Sequence, residues 1–221
     1  SLILPKNYFS VYLRASFLTL TMVCFFSGAP YLSITQMAAG LYTYPLFTVI
    51  LAAPILNEKI TPTKVLSLAM GFTGAYLILT PWERGISIFQ LIPIFSGFFY
   101  ACNILTIRKL CKEETPYAMA AGVASTFVIV CSFVLIFMEF TSISADTISL
   151  NPYLLNGWTN LTMSLLLTIL FVSVFNVSGN LFITKAYQTS ESSWLAPIDY
   201  TYFIFAVFWS KILFNQLPTG I

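Results

Sequence analysis

Long apolar stretches, separated by short clusters of proline and charged residues, make up most of this sequence. A helix needs roughly 20 apolar residues to cross a bilayer core that is about 30 Å thick. The pattern therefore predicts an all-α polytopic membrane protein with seven transmembrane helices, over residues 11–33, 36–56, 63–80, 86–107, 117–140, 161–185 and 194–215. Because only residues 33–36 join the first two spans, these spans are expected to form a tight helical hairpin.

The composition agrees with lipid as the surrounding solvent. The chain is 58% hydrophobic and 8% charged, whereas a soluble domain typically has about 25% charged residues. The net charge of +2 gives no indication of nucleic-acid binding. The chain has no histidine and its cysteines lack metal-ligand spacing, so neither a metal site nor a cofactor is predicted.

The basic residues predict the orientation, because lysine and arginine are enriched at the cytoplasmic ends of membrane helices. If the first span starts in the cytoplasm, nearly all of them fall on that side: Lys6, Arg14, Lys59, Lys64, Arg108, Lys109, Lys112 and Lys185. Arg84 would then be on the outer side, with Lys211 near the outer end of the last span. We therefore expect the first span to begin in the cytoplasm.

One stretch of the chain occurs twice. Residues 38–57 (AAGLYTYPLFTVILAAPILN) and 196–215 (APIDYTYFIFAVFWSKILFN) align without a gap. The identical pairs are Ala38/Ala196, Tyr42/Tyr200, Thr43/Thr201, Tyr44/Tyr202, Phe47/Phe205, Val49/Val207 and Asn57/Asn215. The copies lie five spans apart, so they are expected to run in opposite directions. Inverted repeats of this kind are the building plan of many secondary transporters.

The repeat predicts a ten-helix protein made of two inverted units, of which this chain contains seven helices. Residues 1–85 would form the last three helices of the first unit, and residues 86–221 the first four of the second. Chance similarity between two helices rich in Phe and Tyr is the alternative. Small residues at every fourth position predict close helix packing: Ser67, Gly71 and Ala75, and Ala118, Gly122 and Thr126.

Three segments resemble a known family. Residues 56–59 (LNEK), 71–81 (GFTGAYLILTP) and 184–202 (TKAYQTSESSWLAPIDYTY) resemble the EamA-type members of the drug/metabolite transporter superfamily, and most of all its bacterial S-adenosylmethionine uptake carriers. The resemblance implies ten helices, cytoplasmic termini and alternating access across a central cavity. Glu58 matches a glutamate usual in the first repeat. Gln216, where a second glutamate is usual, and Lys211 depart from the pattern.

Asp199 is the first candidate for substrate binding, because a charge inside a membrane span is costly and therefore points to function. It lies five residues into the seventh span. It could attract a cationic group of a substrate or carry a coupling proton. The alternative is a structural ion pair with Lys185.

Tyrosines and amides within the spans are the other candidates. Aromatic faces and phenol hydroxyls suit planar or cationic metabolites, and residues two apart on a helix point about 200° apart, so one tyrosine of each pair is expected to face a cavity. Two amides four residues apart share a helix face that is predicted to turn inward. Helix packing is the alternative for both groups. The candidates are Tyr42, Tyr44, Tyr200, Tyr202, Asn103, Asn176 and Asn180.

Together these features predict a secondary transporter in a bacterial inner membrane that moves a small organic metabolite, such as S-adenosylmethionine or another amino-acid or nucleoside derivative, by alternating access. Its expected partners are a small-molecule substrate and the lipid bilayer, without nucleic acid, and a homodimer is left open. A truncated, transport-incompetent remnant with a structural membrane role is the alternative. No nucleotide-binding loop or catalytic cluster is found in the sequence, so neither ATP-driven transport nor an enzyme is predicted.

Overall fold

The computed structural model describes residues 2–79, 88–141, 148–149 and 160–214, and within these residues it contains helices and no strand. The helices are α1 (Tyr8–Ser27), α2 (Ile34–Leu41), α3 (Tyr44–Leu56), α4 (Pro62–Leu79), α5 (Leu91–Leu110), α6 (Pro116–Thr141), α7 (Met163–Thr189), α8 (Ser192–Ile198) and α9 (Tyr202–Phe214). A 3-10 turn (Ile88–Gln90) precedes α5, and another (Asp199–Thr201) joins α8 to α9.

Within the residues that the structure describes, five segments are long and apolar enough to cross a bilayer: Tyr8–Ser27, Gln36–Leu56, Ile88–Leu110, Pro116–Met138 and Met163–Thr189. They correspond to the first, second, fourth, fifth and sixth predicted spans. The all-α polytopic membrane fold is thereby confirmed, and the chain is an integral membrane protein. The third predicted span corresponds to α4, and the seventh is divided between α8 and α9. The predicted unit boundary after residue 85, and Gln216, lie outside the described residues.

The connection between α1 and α2 is longer than the sequence pattern predicted. α1 ends at Ser27, six residues before the predicted end, and Gly28 and Pro30 follow at once. Both residues disfavour continuation of a helix. Ser33 then begins α2: its side chain accepts a hydrogen bond from the Gln36 N–H, and the Gln36 side chain accepts one from the Ser33 N–H. This capping box satisfies two backbone donors at the start of α2.

α1 and α5 form the centre of the described bundle. α1 packs against α5 and α6, while α5 also packs against α2, α3 and α7. A Cβ on Gly122 of α6 would overlap the Val11 side chain of α1, and one on Gly71 of α4 would overlap the Tyr200 ring. Both glycines belong to the small-residue stripes, whose predicted role in close packing is confirmed.

α3 and α8 run antiparallel. Glu58, just after the end of α3, accepts hydrogen bonds of 2.9 Å from the backbone N–H groups of Ser192 and Ser193 at the start of α8. At the other end of the same pair, Tyr200 contacts Tyr42. The two copies of the repeated segment therefore meet in opposite directions, as an inverted repeat requires.

Candidate functional site

Both copies of the repeated segment are interrupted at the same place. α2 ends at Leu41 and α3 begins at Tyr44, whereas α8 ends at Ile198 and α9 begins at Tyr202 after a 3-10 turn. Tyr44 and Tyr202 are equivalent positions of the repeat. The spans 36–56 and 194–215 are thus not single continuous helices, and the Tyr-Thr-Tyr motif marks a break in each.

A proline stands beside each break. Pro45, the second residue of α3, has no N–H and cannot donate to the carbonyl of Leu41 four residues earlier. Pro197 lies inside α8, just before the 3-10 turn, and likewise leaves a carbonyl without its helical donor. The Thr43 hydroxyl donates to the Gly40 carbonyl at 2.6 Å, so a side chain supplies a bond at the first break. The local sequence therefore accounts for both interruptions.

The two breaks contact each other inside the bundle. The Tyr200 hydroxyl donates a hydrogen bond of 3.1 Å to the Tyr42 carbonyl. The Tyr42 ring stacks on that of Tyr202, with centroids 5.4 Å apart, and lies 4.4 Å from that of Phe203. The rings of Tyr42 and Tyr44 are only 5.8 Å apart. The expected divergence of these two tyrosines is therefore wrong, because the chain between them is not α-helical.

Asp199 is the carboxylate of the second break. Its Oδ2 accepts a hydrogen bond from the Tyr187 hydroxyl of α7 at 2.5 Å, and the Tyr44 hydroxyl of α3 also interacts with this carboxylate. Among the described residues, the ion pair with Lys185 that was the structural alternative is not formed, and Lys185 is exposed. Two phenols from separate helices therefore hold Asp199.

A buried arginine, like Asp199, bonds to side chains of α7. The Arg14 side chain of α1 is 2% exposed, and it donates to the Met119 carbonyl (3.2 Å), Asn180 Oδ1 (3.1 Å) and Thr184 Oγ1 (3.4 Å). Its Nε has no hydrogen-bond partner in the part of the chain that the structure describes. The sequence places Arg14 among the basic residues of the cytoplasmic ends, yet its position two turns into an apolar helix is the signal of a functional charge.

One face of α7 connects the arginine to the carboxylate. Asn180, Thr184 and Tyr187 are four and three residues apart, so they share a helix face. The first two bond the arginine and the third bonds the carboxylate. Tyr100 of α5 lies close enough for both charges to act on its hydroxyl. The bundle thus brings a cation and an anion to one interior region lined by tyrosines.

The other predicted site residues are placed differently. Tyr200 is buried, whereas Tyr202 is 56% exposed. Asn103 is buried, and its Oδ1 has no partner among the residues described. Asn176 is exposed, because α7 is covered only towards its C-terminal end. Every side chain from 161 to 178 is exposed, so the predicted inward face of Asn176 stays a prediction. The structure brings together Asp199, Tyr42, Tyr44, Tyr200 and Tyr202, whereas Asn180 contacts Arg14 and Thr184.

A second polar cluster, at the basic end of the bundle, was not predicted from the sequence. Lys64 donates to Glu191 at 2.5 Å and to the Ser193 hydroxyl at 2.7 Å. Glu58 accepts a bond of 2.6 Å from the same hydroxyl and lies 3.9 Å from Arg108 Nε. The hydrogen bond and charge of Lys64 lower the pKa of Glu191 from its ordinary value. A cleft of about 520 Å³ is lined by Glu58, Lys64, Arg108 and Glu191 of this cluster.

Comparison with protein families identifies the first part of the chain. Residues 2–80, which contain α1 to α4, match the EamA-like transporter family. The resemblance to the EamA family is confirmed. The matched segment includes the first break and Glu58, so both features lie within an EamA-like unit.

The chain is also similar to curated transporters. It is 24% identical over 186 residues to a riboflavin transporter of Brucella anthropi, covering 84% of this chain and 61% of the relative. It is 27% identical over 187 residues to a riboflavin transporter of Vibrio cholerae, and the alignment covers 85% of this chain and 57% of the relative. It is 24% identical over 209 residues to an S-adenosylmethionine uptake transporter of Rickettsia prowazekii, and the alignment covers 93% of this chain and 64% of the relative.

The chain thus spans about six tenths of the length of the riboflavin transporters that it matches. Relatives named for different substrates are similarly distant from it. Sequence identity therefore does not single out the S-adenosylmethionine branch that the sequence motifs favoured.

Proposed function

We propose that this EamA-like chain provides the substrate site of a secondary transporter that moves a small organic metabolite across a bacterial inner membrane. The proposal rests on one observation: the two broken helices of the repeat meet at Asp199 and its tyrosines. Discontinuous helices at the interface of inverted repeats form the substrate sites of many secondary transporters. At such breaks, backbone groups freed from helical bonds become available to a ligand.

The interior charges favour a metabolite that carries both a cationic and an anionic group. Asp199 is suited to an ammonium or sulfonium group, and Arg14 to a carboxylate. An amino-acid derivative presents both charges, and the tyrosines around them suit an aromatic base. S-adenosylmethionine has all of these groups, whereas riboflavin is uncharged at neutral pH. This chemistry supports an amino-acid or nucleoside derivative as the substrate.

Alternating access would require the polar cluster at the basic end to separate. Glu58 and Lys64, from the predicted first unit, bond to Glu191, Ser192 and Ser193 of the predicted second unit. These bonds hold the end of α3 to the start of α8. Opening this end means breaking them, while the contact between the two breaks acts as the pivot.

Transport assays test the proposal directly. The protein, expressed from its complete reading frame, is reconstituted into liposomes, and uptake of radiolabelled S-adenosylmethionine and of riboflavin is measured. We expect saturable uptake of S-adenosylmethionine that unlabelled riboflavin does not inhibit. Saturable uptake of riboflavin alone would contradict the charge argument, and no saturable flux of either probe would count against this substrate class.

The variant Asp199→Asn separates binding from folding. It removes the negative charge but keeps the shape and can still accept a hydrogen bond from Tyr187. We expect the KM for S-adenosylmethionine to rise about 10- to 100-fold, which corresponds to roughly 1.5–3 kcal/mol for a hydrogen bond to a charged group. Glu113→Gln is the matched control, since Glu113 is exposed. Equal kinetics of the two variants would make Asp199 a structural residue.

A further inference from the structure

Two adjoining cavities lie beside the C-terminal ends of α3 and α5. The first, of about 280 Å³, is lined by charged and polar groups that include Glu58, Arg108 and Lys112. The second, of about 140 Å³, is a mainly apolar groove between α1, α3 and α5. Ile55 and Lys109 line both cavities, so the two lie side by side. A charged end therefore leads into an apolar groove within the membrane-spanning part of the protein.

The charged cavity is predominantly cationic. Arg108, Lys109 and Lys112 line it, together with the carboxylate of Glu58. That carboxylate already accepts bonds from the start of α8. Lys109 and Lys112 are exposed, and neither is in an ion pair within the described ranges. Two unpaired ammonium groups thus face this cavity at the end of α5.

This combination matches the two parts of a lipid molecule. Basic pockets between membrane helices on the cytoplasmic side bind anionic lipid head groups. A phosphate would approach the lysines at the bilayer surface, and an acyl chain of the same molecule would pack against the side chains of the apolar groove. A soluble anion would use only the charged half of the site.

We propose that these cavities bind one anionic phospholipid, with its phosphate at Lys109 and Lys112 and an acyl chain in the groove beside Ile55. The site is separate from Asp199, and its occupation does not depend on what the protein transports. Phosphatidylglycerol is a suitable probe because its head group carries a single negative charge on the phosphate.

Lipid binding by the complete protein in detergent tests this site. Native mass spectrometry measures the occupancy by phosphatidylglycerol and by phosphatidylcholine with the same acyl chains. We expect phosphatidylglycerol to bind more tightly, and the double variant Lys109→Gln/Lys112→Gln to weaken it about 30-fold, at roughly fivefold for each lysine near an anionic lipid. The matched control is Lys6→Gln/Lys185→Gln, which removes two other exposed lysines.

The outcomes distinguish a built site from general surface charge. Equal affinities for the two lipids, or equal losses in the two double variants, would overturn the proposal. Glycerol phosphate at millimolar concentration tests for a soluble anion: we expect no displacement of the lipid, and full displacement would assign the site to a free phosphate compound instead. Because all four substituted lysines are exposed, unchanged thermal unfolding is expected in both double variants.

Discussion

The hydroxyl of Tyr200 donates a hydrogen bond of 3.1 Å to the backbone carbonyl of Tyr42, and the two residues occupy equivalent positions of a segment that occurs twice in the chain. The repeat therefore contacts itself at its own point of interruption. This contact joins the two broken helices at the level of Asp199. The proposed substrate site therefore lies where the two copies of the repeat meet.

Gly71 is needed for the Tyr200 ring to reach this position. A Cβ there would overlap the ring, whereas a Cβ on Gly74, one turn later in α4, would meet nothing within 4 Å. We expect Gly71→Ala to lower the free energy of unfolding by about 1–3 kcal/mol through overpacking. Gly74→Ala should be neutral or raise it by up to about 1 kcal/mol. Thermal unfolding in detergent, with both variants in parallel, checks this; equal effects would contradict the observed packing.

Glu58 and Glu191 are predicted to differ in their importance for stability. Glu58 is 6% exposed and accepts two backbone N–H bonds at the start of α8. Glu58→Gln replaces one acceptor oxygen by an amide donor, so we expect a loss of about 1–3 kcal/mol in the free energy of unfolding. Glu191→Gln should cost far less, because that side chain is half exposed. Urea unfolding of both variants measures the difference, and a larger loss for Glu191→Gln would refute it.

The ion pair between Lys64 and Glu191 predicts a pH dependence. The pKa of Glu191 is lowered by Lys64, so the folded protein holds this proton less tightly than the unfolded chain does. The pair therefore stabilises the fold above the ordinary glutamate pKa of about 4.3, and the contribution is lost as the pH falls through the lowered value. Carbon-13 NMR of labelled glutamate should give a pKa for Glu191 below the ordinary value. An unchanged pKa in Lys64→Met would show that Lys64 is not the cause.

Arg14 is predicted to be more important than its place among the cytoplasmic basic residues suggests. Arg14→Gln cannot reach all three acceptors, and it removes the arginine bonds to the Met119 carbonyl and Thr184 Oγ1, while Asn180 Oδ1 keeps only its bond from the Thr184 hydroxyl. We expect a loss of about 1–3 kcal/mol for the unsatisfied buried groups. The control Lys185→Gln changes an exposed lysine and should have little effect. Thermal unfolding of the two variants decides the prediction, and equal melting temperatures would count against a buried role for Arg14.

The helical membrane fold could be predicted from the sequence, because membrane spans are recognised by an average property of about 20 residues. An average over about 20 residues does not reveal a short break in the helix within the span. The breaks depend on single hydrogen bonds lost at Pro45 and Pro197. A proline close to the repeated Tyr-Thr-Tyr motif, after it in the first copy and before it in the second, was the signal that could have revealed them.

The candidate site could be predicted only in part. Asp199 was recognisable because it is an acid within an apolar segment. Its partner Tyr187 lies on another helix, and Glu58 meets the start of α8 across 134 residues of chain. Contacts at such separation follow from packing, which local sequence patterns do not encode. The inward orientation of Asn176 stays a prediction, because spacing along a helix defines a face but not which part of its length is covered.

The breaks divide two predicted membrane spans into unequal parts, and the shorter part of each is a short helix that could tilt at its break. α2 has eight residues and α8 has seven. At 1.5 Å per residue, α2 is about 12 Å long, so a tilt of about 20° at its break would displace its far end by roughly 4 Å. That distance exceeds the width of a water molecule. A small tilt of α2 that leaves the stacked rings of Tyr42 and Tyr202 in contact would therefore be enough to let water enter at the far end of this helix.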